Sequence, residues 1–157
     1  MIRLFRNLFT RRWDIHRLFP KKSMLLIEEF IKNSELEHRA EICFTVEASL
    51  PIWRVLRGVT ARQRALEVFS QLRVWDTEDN SGVLLYLLLA DRNIEIIADR
   101  GINKLVTDIE WKNISEKIKS SFQSGNFEQG VIDGLTEISL ILQKYFPSEG
   151  KLKNEIP

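Results

Sequence analysis

The stretch 82–98, GVLLYLLLADRNIEIIA, decides the fold class of this 157-residue chain. Its first part, Val83 to Leu89, is continuously apolar, which predicts a strand covered on both faces. Asp91 and Arg92 follow as a tight turn, and we interpret Asp91 as a turn former only. The segment from Ile94 to Ile96 then alternates apolar and charged residues, as a strand with one buried face does. We therefore predict a β-hairpin whose first strand lies at the centre of the sheet.

Another strand is predicted upstream of this hairpin. From Ala40 to Ala48 the chain is rich in β-branched and aromatic residues, with Ile42, Phe44 and Val46 on one face. A helix from Thr60 to about residue 73, with a capping-box spacing at its start, connects this strand to the hairpin. Strands joined through a helix lie parallel with a right-handed crossover, so the sheet is expected to be mixed.

Helices are predicted on both sides of this sheet. Besides the connecting helix, helical spacing and capping residues predict the ranges 1–19, 23–37 with Ser23 as N-cap, 110–122 and 126–146. This order of elements indicates an α/β fold, with a small mixed β-sheet flanked by helices. We divide the chain into a basic amphipathic arm (1–22), an α/β domain (23–147) and a polar tail (148–157).

The composition is that of an ordinary globular domain, with 44% hydrophobic and 29% charged residues. The longest apolar run, 83–90, is too short for a membrane-spanning helix, which needs about 20 residues. Cys43 is the single cysteine, so it has no disulfide partner, and its apolar neighbours indicate a buried core residue. Two histidines are too few for a Cys/His metal cage, and we interpret His38 as a solvated residue at a helix end.

Positive charge is concentrated at the N-terminus. Residues 1–22 hold seven Lys and Arg against one Asp, whereas the remainder holds sixteen basic and twenty-one acidic residues. Arginines interrupt the apolar run that a signal peptide needs, so we expect a cytoplasmic protein, peripheral at the inner membrane if the arm binds lipid. The acidic remainder disfavours nucleic-acid binding.

Two interpretations of the arm remain open. Its aromatic residues could pack on the domain and leave the arginines solvated, or residues 1–20 could lie on an anionic membrane surface. The aromatic side chains concerned are Phe5, Phe9, Trp13 and Phe19.

Acidic and amide residues are predicted to converge at the open end of the hairpin. Folding the chain at Asp91 brings Gly82 near Gly101, so the loops that flank the two strands share one end. Carboxylate and amide oxygens are the ligands that calcium and magnesium prefer. The candidate metal ligands are Asp76, Glu78, Asp79, Asn80, Asp99 and Asp108. Alternatively, these residues only form turns and helix caps.

Several of these segments resemble the TPM domain family. The segments are 79–85 (DNSGVLL), 90–96 (ADRNIEI), 99–102 (DRGI) with 107–108 (TD), and 125–130 (GNFEQG). The likeness spans about residues 40–146, and 73–78 (RVWDTE) is similar to a short proteobacterial branch that lacks a signal peptide and a transmembrane helix.

The resemblance implies an α/β/α sandwich with an acidic pocket, which binds calcium or similar ions in some members. It also implies weak acid-phosphatase activity, as in plant thylakoid-lumen members, or a non-enzymatic accessory role in membrane-complex repair or receptor modulation. This chain departs from the family at Asp99 and Arg100, where many members have small or aromatic residues before the glycine.

Three functions remain open on the sequence alone. The first is a divalent-cation-binding accessory or interaction module, and the second is a weak metal-dependent acid phosphatase. The third is an adaptor that docks through the arm on an anionic membrane or on an unidentified protein partner. The chain has no phosphate-binding glycine loop, nucleophile elbow or His-Glu-x-x-His motif, so binding is favoured over catalysis and no catalytic residue is assigned.

Overall fold

The computed structural model describes residues 1–149, which form a three-stranded sheet with helices on both faces. The strands are β1 (Glu41–Glu47), β2 (Gly82–Leu88) and β3 (Asn93–Ala98), in the spatial order β1-β2-β3. β1 and β2 are parallel, and β2 and β3 are antiparallel. The mixed sheet and the central position of the apolar strand are therefore confirmed.

The helices of residues 1–149 precede, connect and follow these strands. They are α1 (Ile2–Phe9), α2 (Arg12–Leu18), α3 (Lys21–Ser34), α4 (Ile52–Leu56), α5 (Ala61–Gln71), α6 (Arg100–Asn103), α7 (Asp108–Gln123) and α8 (Phe127–Tyr145). The predicted capping box at Thr60 begins α5, with Gln63 as its second member. The predicted polar tail lies outside the described residues from residue 150 onward.

The sheet separates two apolar layers because successive side chains of a strand point to opposite faces. Val83, Leu85 and Leu87 of β2 belong to the layer that contains α3, α7 and α8. Leu84 and Tyr86 belong to the layer that contains α5. Each of these five side chains is at most 1% exposed, and full burial of an apolar side chain stabilises the fold by about 1.5–3 kcal/mol. The predicted α/β/α sandwich is thus confirmed.

Helix α3 begins earlier than predicted. Pro20 occupies its N-cap position, where the missing N–H of proline carries no penalty because the first-turn N–H groups have no partners in the helix. Ser23 therefore does not cap the helix. It is buried within the first turns, and its hydroxyl donates a hydrogen bond to the Glu128 carboxylate of α8.

His38 is buried, so the prediction of a solvated residue is wrong. Its ring is 2% exposed, and Nδ1 lies 3.1 Å from the carbonyl oxygen of Ala40. His38 also pairs with Pro147 in an antiparallel bridge, which ties the end of α3 to the end of α8. Burial lowers the pKa of His38 below its ordinary value.

Cys43 is half-buried rather than fully buried and packs against the layer that contains α5. Burial raises the pKa of its thiol above the ordinary value, which disfavours the reactive thiolate. Cys43 therefore acts as a packing residue.

Candidate functional site

The two acidic loops meet at the open end of the β2–β3 hairpin. The carbonyl oxygen of Asn80 accepts a hydrogen bond from the amide of Gly101 at 2.9 Å, and that of Gly82 accepts one from the amide of Asp99 at 2.9 Å. No side chain fits at position 101, because a Cβ atom there would lie 2.2 Å from the carbonyl oxygen of Asp79. Gly101 thus permits the close contact between the two loops.

The six predicted metal ligands are not gathered around one point. Asp79 forms an ion pair with Arg39, with 3.0 Å between Oδ2 and Nη1. Asp76 forms a longer ion pair with Arg73 at 3.6 Å. Three of the remaining candidates have exposed side chains: Glu78, Asn80 and Asp108. Among residues 1–149, no group of three or more acidic, histidine or cysteine side chains is arranged to hold a metal ion.

Asp99 differs from the other carboxylates. Its Oδ1 accepts a hydrogen bond from the amide of Arg100 at 2.7 Å and caps α6. Its Oδ2 is inaccessible to solvent and has no hydrogen-bond partner. An unpartnered buried polar atom costs about 1–3 kcal/mol, and more when the group is charged, so a cation beside Asp99 would be favourable. The oxygen chemistry of the loops suits calcium or magnesium, but Asp79 would have to leave Arg39 to join such a site.

A second charged cluster, which we call the Glu47 network, lies at the opposite end of β1. Glu47 accepts hydrogen bonds from the hydroxyl of Tyr86 at 2.7 Å and from Arg64 at 2.8 and 3.1 Å. Arg64 and Arg54 both bind Glu67, at 3.0 and 2.6 Å. Burial alone would raise the pKa of Glu47, but the hydrogen bonds from Arg64 and Tyr86 hold it below its ordinary value. Both carboxylates have guanidinium partners, so the network is structural in character.

Sequence reasoning missed the Glu47 network. Strand alternation places Glu47 on the same face of β1 as Cys43, opposite the face of Ile42, Phe44 and Val46. This charged residue at the end of a predicted strand was the only local indication of the network. Its partners Arg64 and Tyr86 are 17 and 39 residues away, so their contact depends on the tertiary fold. A cavity of about 660 Å³ adjoins the network and is also lined by Arg12 and Trp53.

The arm is attached to the domain through polar side chains. Asn7 is 4% exposed; its amide group donates to Asp91 Oδ1 at 2.9 Å and accepts from the amide of Leu50 at 2.7 Å. Arg3 forms an ion pair with Asp91 Oδ2 at 2.9 Å and also donates to the carbonyl oxygen of Val59. Asp91 is therefore more than a turn former, because it is the attachment point of α1.

The apolar side of the arm faces solvent. Phe5 and Phe9 are 53% and 69% exposed, with ring centroids 6.3 Å apart, and Trp13 of α2 is 77% exposed. The interpretation that the aromatic residues of the arm pack on the domain is therefore wrong for Phe5, Phe9 and Trp13. Of the four aromatic residues, Phe19 is the one that packs in the core, where it is 1% exposed. None of the helices within residues 1–149 is long and apolar enough to cross a membrane.

Comparison with known proteins identifies the fold and the family. The family model of the TPM domain matches residues 17–140, which begins within the arm and extends into α8. No curated protein matches the chain.

Two solved structures are similar to this chain. The NMR structure of the BA42 protein from the psychrophilic bacterium Bizionia argentinensis is 30% identical with a TM-score of 0.72, and the match covers 87% of this chain and 89% of that one. The solution structure of the N-terminal domain of a P. gingivalis protein is 18% identical with a TM-score of 0.64, covering 82% and 79%. The second likeness concerns the fold alone. Because the family model matches residues 17–140, which are most of the chain, the chain belongs to the TPM domain family.

Proposed function

We propose that this TPM-domain protein is a non-catalytic docking module that binds an anionic membrane surface through residues 1–20. The orientation of α1 is the observation that carries the proposal. Asn7 and Arg3 attach α1 to Asp91, while Phe5 and Phe9 stay exposed. Because the polar side makes the attachment, the apolar side remains available for insertion at the membrane interface.

The charge of the arm supports an anionic partner. Residues 1–22 carry seven basic residues against one Asp, and Arg6, Arg11 and Arg12 are exposed. Each basic residue near an anionic leaflet contributes about 1 kcal/mol, and full burial of a large apolar side chain contributes about 1.5–3 kcal/mol. These contributions add up to reversible, salt-sensitive binding.

Sedimentation with lipid vesicles tests this proposal. We expect the protein to bind vesicles that contain phosphatidylglycerol, and to release them at about 1 M salt, where the Debye length falls to about 3 Å. The double change Phe5→Ser with Phe9→Ser should weaken binding by about tenfold or more, since both rings lose their burial in the interface.

The control is Leu36→Ser, which removes an apolar side chain outside the arm that is at least as exposed, at 74%. Equal binding to neutral phosphatidylcholine vesicles would contradict the proposal. So would a double variant that binds as tightly as the control.

Divalent-cation binding by the acidic loops is a second candidate function. The observation that favours it is the buried, unpartnered Oδ2 of Asp99, next to the loop that carries Asp79. A metal-dependent phosphatase would need the same ion, so loss of cation binding would remove that alternative as well. We expect phosphatase turnover to be absent or very slow, because an acidic pocket repels a phosphate dianion unless an ion bridges them.

Amide NMR shifts during a calcium or magnesium titration test this second candidate. Residues 79–82 and 99–101 should shift together at millimolar ion, and Asp99→Asn should abolish the shifts because it removes the anionic ligand. Asp133→Asn, an exposed position on α8, is the control. If the wild-type protein shows no shifts, or if Asp99→Asn shifts like the control, cation binding at these loops is wrong.

A further inference from the structure

A cavity of about 830 Å³ lies between the arm and the domain, and we call it the arm groove. Phe5 and Phe9 of α1 border it with largely exposed rings, and the half-buried Leu89, Phe122 and Phe127 line it on the domain side. Ligand pockets for small molecules have volumes of about 300–1,000 Å³ and mostly apolar linings, so the arm groove has the size and character of a binding site.

Basic side chains from separate segments also line the arm groove. They are Arg6 of α1, Arg17 of α2, Arg92 of the β2–β3 turn and Lys119 of α7. The groove has one acidic lining residue, Asp14, and its carboxylate already pairs with Arg17 at 3.4 Å. Arg6, Arg92 and Lys119 form no ion pair within residues 1–149, so the arm groove carries an unbalanced positive charge.

We propose that the arm groove binds one acyl chain of an anionic lipid, with the headgroup held by the basic side chains. An apolar lining with unbalanced cations is complementary to a ligand that combines a hydrocarbon chain with an anionic end. A small inorganic anion would leave the apolar lining unused, and an uncharged hydrocarbon would leave the cations unmatched. That the lipid comes from a membrane rests on the proposed docking of the arm. Binding in the groove itself can be tested without vesicles.

Calorimetric titration with alkyl phosphates below their micelle concentration provides the test. We expect dodecyl phosphate to bind and inorganic phosphate not to bind. Each two-carbon extension of the chain, from octyl to decyl to dodecyl, should tighten the Kd by about tenfold, since each added methylene is buried. Similar Kd values for all chain lengths, or binding of inorganic phosphate alone, would overturn the proposal.

Two pairs of variants locate the binding site. Gln123→Trp adds bulk at an exposed residue that lines the groove, and Lys119→Glu reverses a lining charge. Each should weaken dodecyl phosphate binding by about tenfold or more. Asn113→Trp and Lys112→Glu make the same changes at exposed positions of α7 outside the groove and should bind normally. If the groove variants bind like these controls, the proposal is wrong.

The vesicle experiment separates this inference from the proposed function. Gln123→Trp should still sediment with anionic vesicles, because it changes no residue of the arm and because Trp13, Arg11 and Arg12 lie outside the groove and stay exposed. Dodecyl phosphate binding without vesicle binding would support the groove and refute membrane docking. Vesicle binding without dodecyl phosphate binding would refute the groove and leave membrane docking in place.

Discussion

Helices α1 and α7 are both amphipathic, but they turn opposite sides toward the protein. α7 buries Trp111, Ile114 and Ile118, which are 6%, 3% and 1% exposed. α1 instead buries the polar Asn7 and leaves Phe5 and Phe9 exposed. An apolar stripe therefore does not by itself determine which side of a helix is buried. In α1, hydrogen bonds to a distant aspartate determine it, and the stripe remains as a surface for a partner.

Truncation of an apolar side chain on each helix should produce the largest contrast between them. Ile118→Ala in α7 should lower the free energy of unfolding by about 2–5 kcal/mol, because it opens a cavity in the core. Phe9→Ala in α1 should change it by less than about 0.5 kcal/mol, because that ring is exposed. Urea denaturation of both variants measures the difference. A similar loss in both would mean that the apolar side of α1 is packed in solution.

Replacement of the buried amide in α1 should have a smaller effect. Asn7→Leu removes the hydrogen bonds to Asp91 Oδ1 and to the Leu50 amide, while Arg3 still pairs with Asp91 Oδ2, and this loss should cost about 1–3 kcal/mol. It should also increase hydrogen exchange of the α1 amides, because the helix loses the attachment through Asn7 and keeps only that through Arg3. Asn113→Leu, on the exposed side of α7, is the control and should be nearly neutral. Unchanged exchange in α1 of the Asn7→Leu variant would show that another contact holds the helix.

The sheet was predictable from the sequence because its signals are local. The apolar run of β2, the turn at Asp91 and the alternation in β3 lie within seventeen residues, and each indicates the same hairpin. The meeting of the two acidic loops follows from that hairpin. The signal for the connecting helix α5 was equally local, since Thr60 and Gln63 form a capping box at its start.

The attachment of the arm was not predictable in the same way. Asn7 and Asp91 are 84 residues apart, and neither carries a local signal of their hydrogen bond. Helical spacing identified the aromatic stripe of the arm, but not which side of the helix the domain would cover. The ion pair of Asp79 with Arg39 is similar, because the two residues lie far apart in the sequence and no local pattern indicates that a guanidinium holds this carboxylate.

The position of α1 on a membrane tests the central claim most directly. In a Cys43→Ala background, an environment-sensitive fluorophore is attached to Phe9→Cys in α1 or to Lys112→Cys in α7, both at exposed positions. With anionic vesicles, we predict a blue shift for the label at position 9 and no shift for the label at position 112, because only the apolar side of α1 enters the interface. A shift at position 112 alone, or no shift at either position, would contradict membrane docking through the arm.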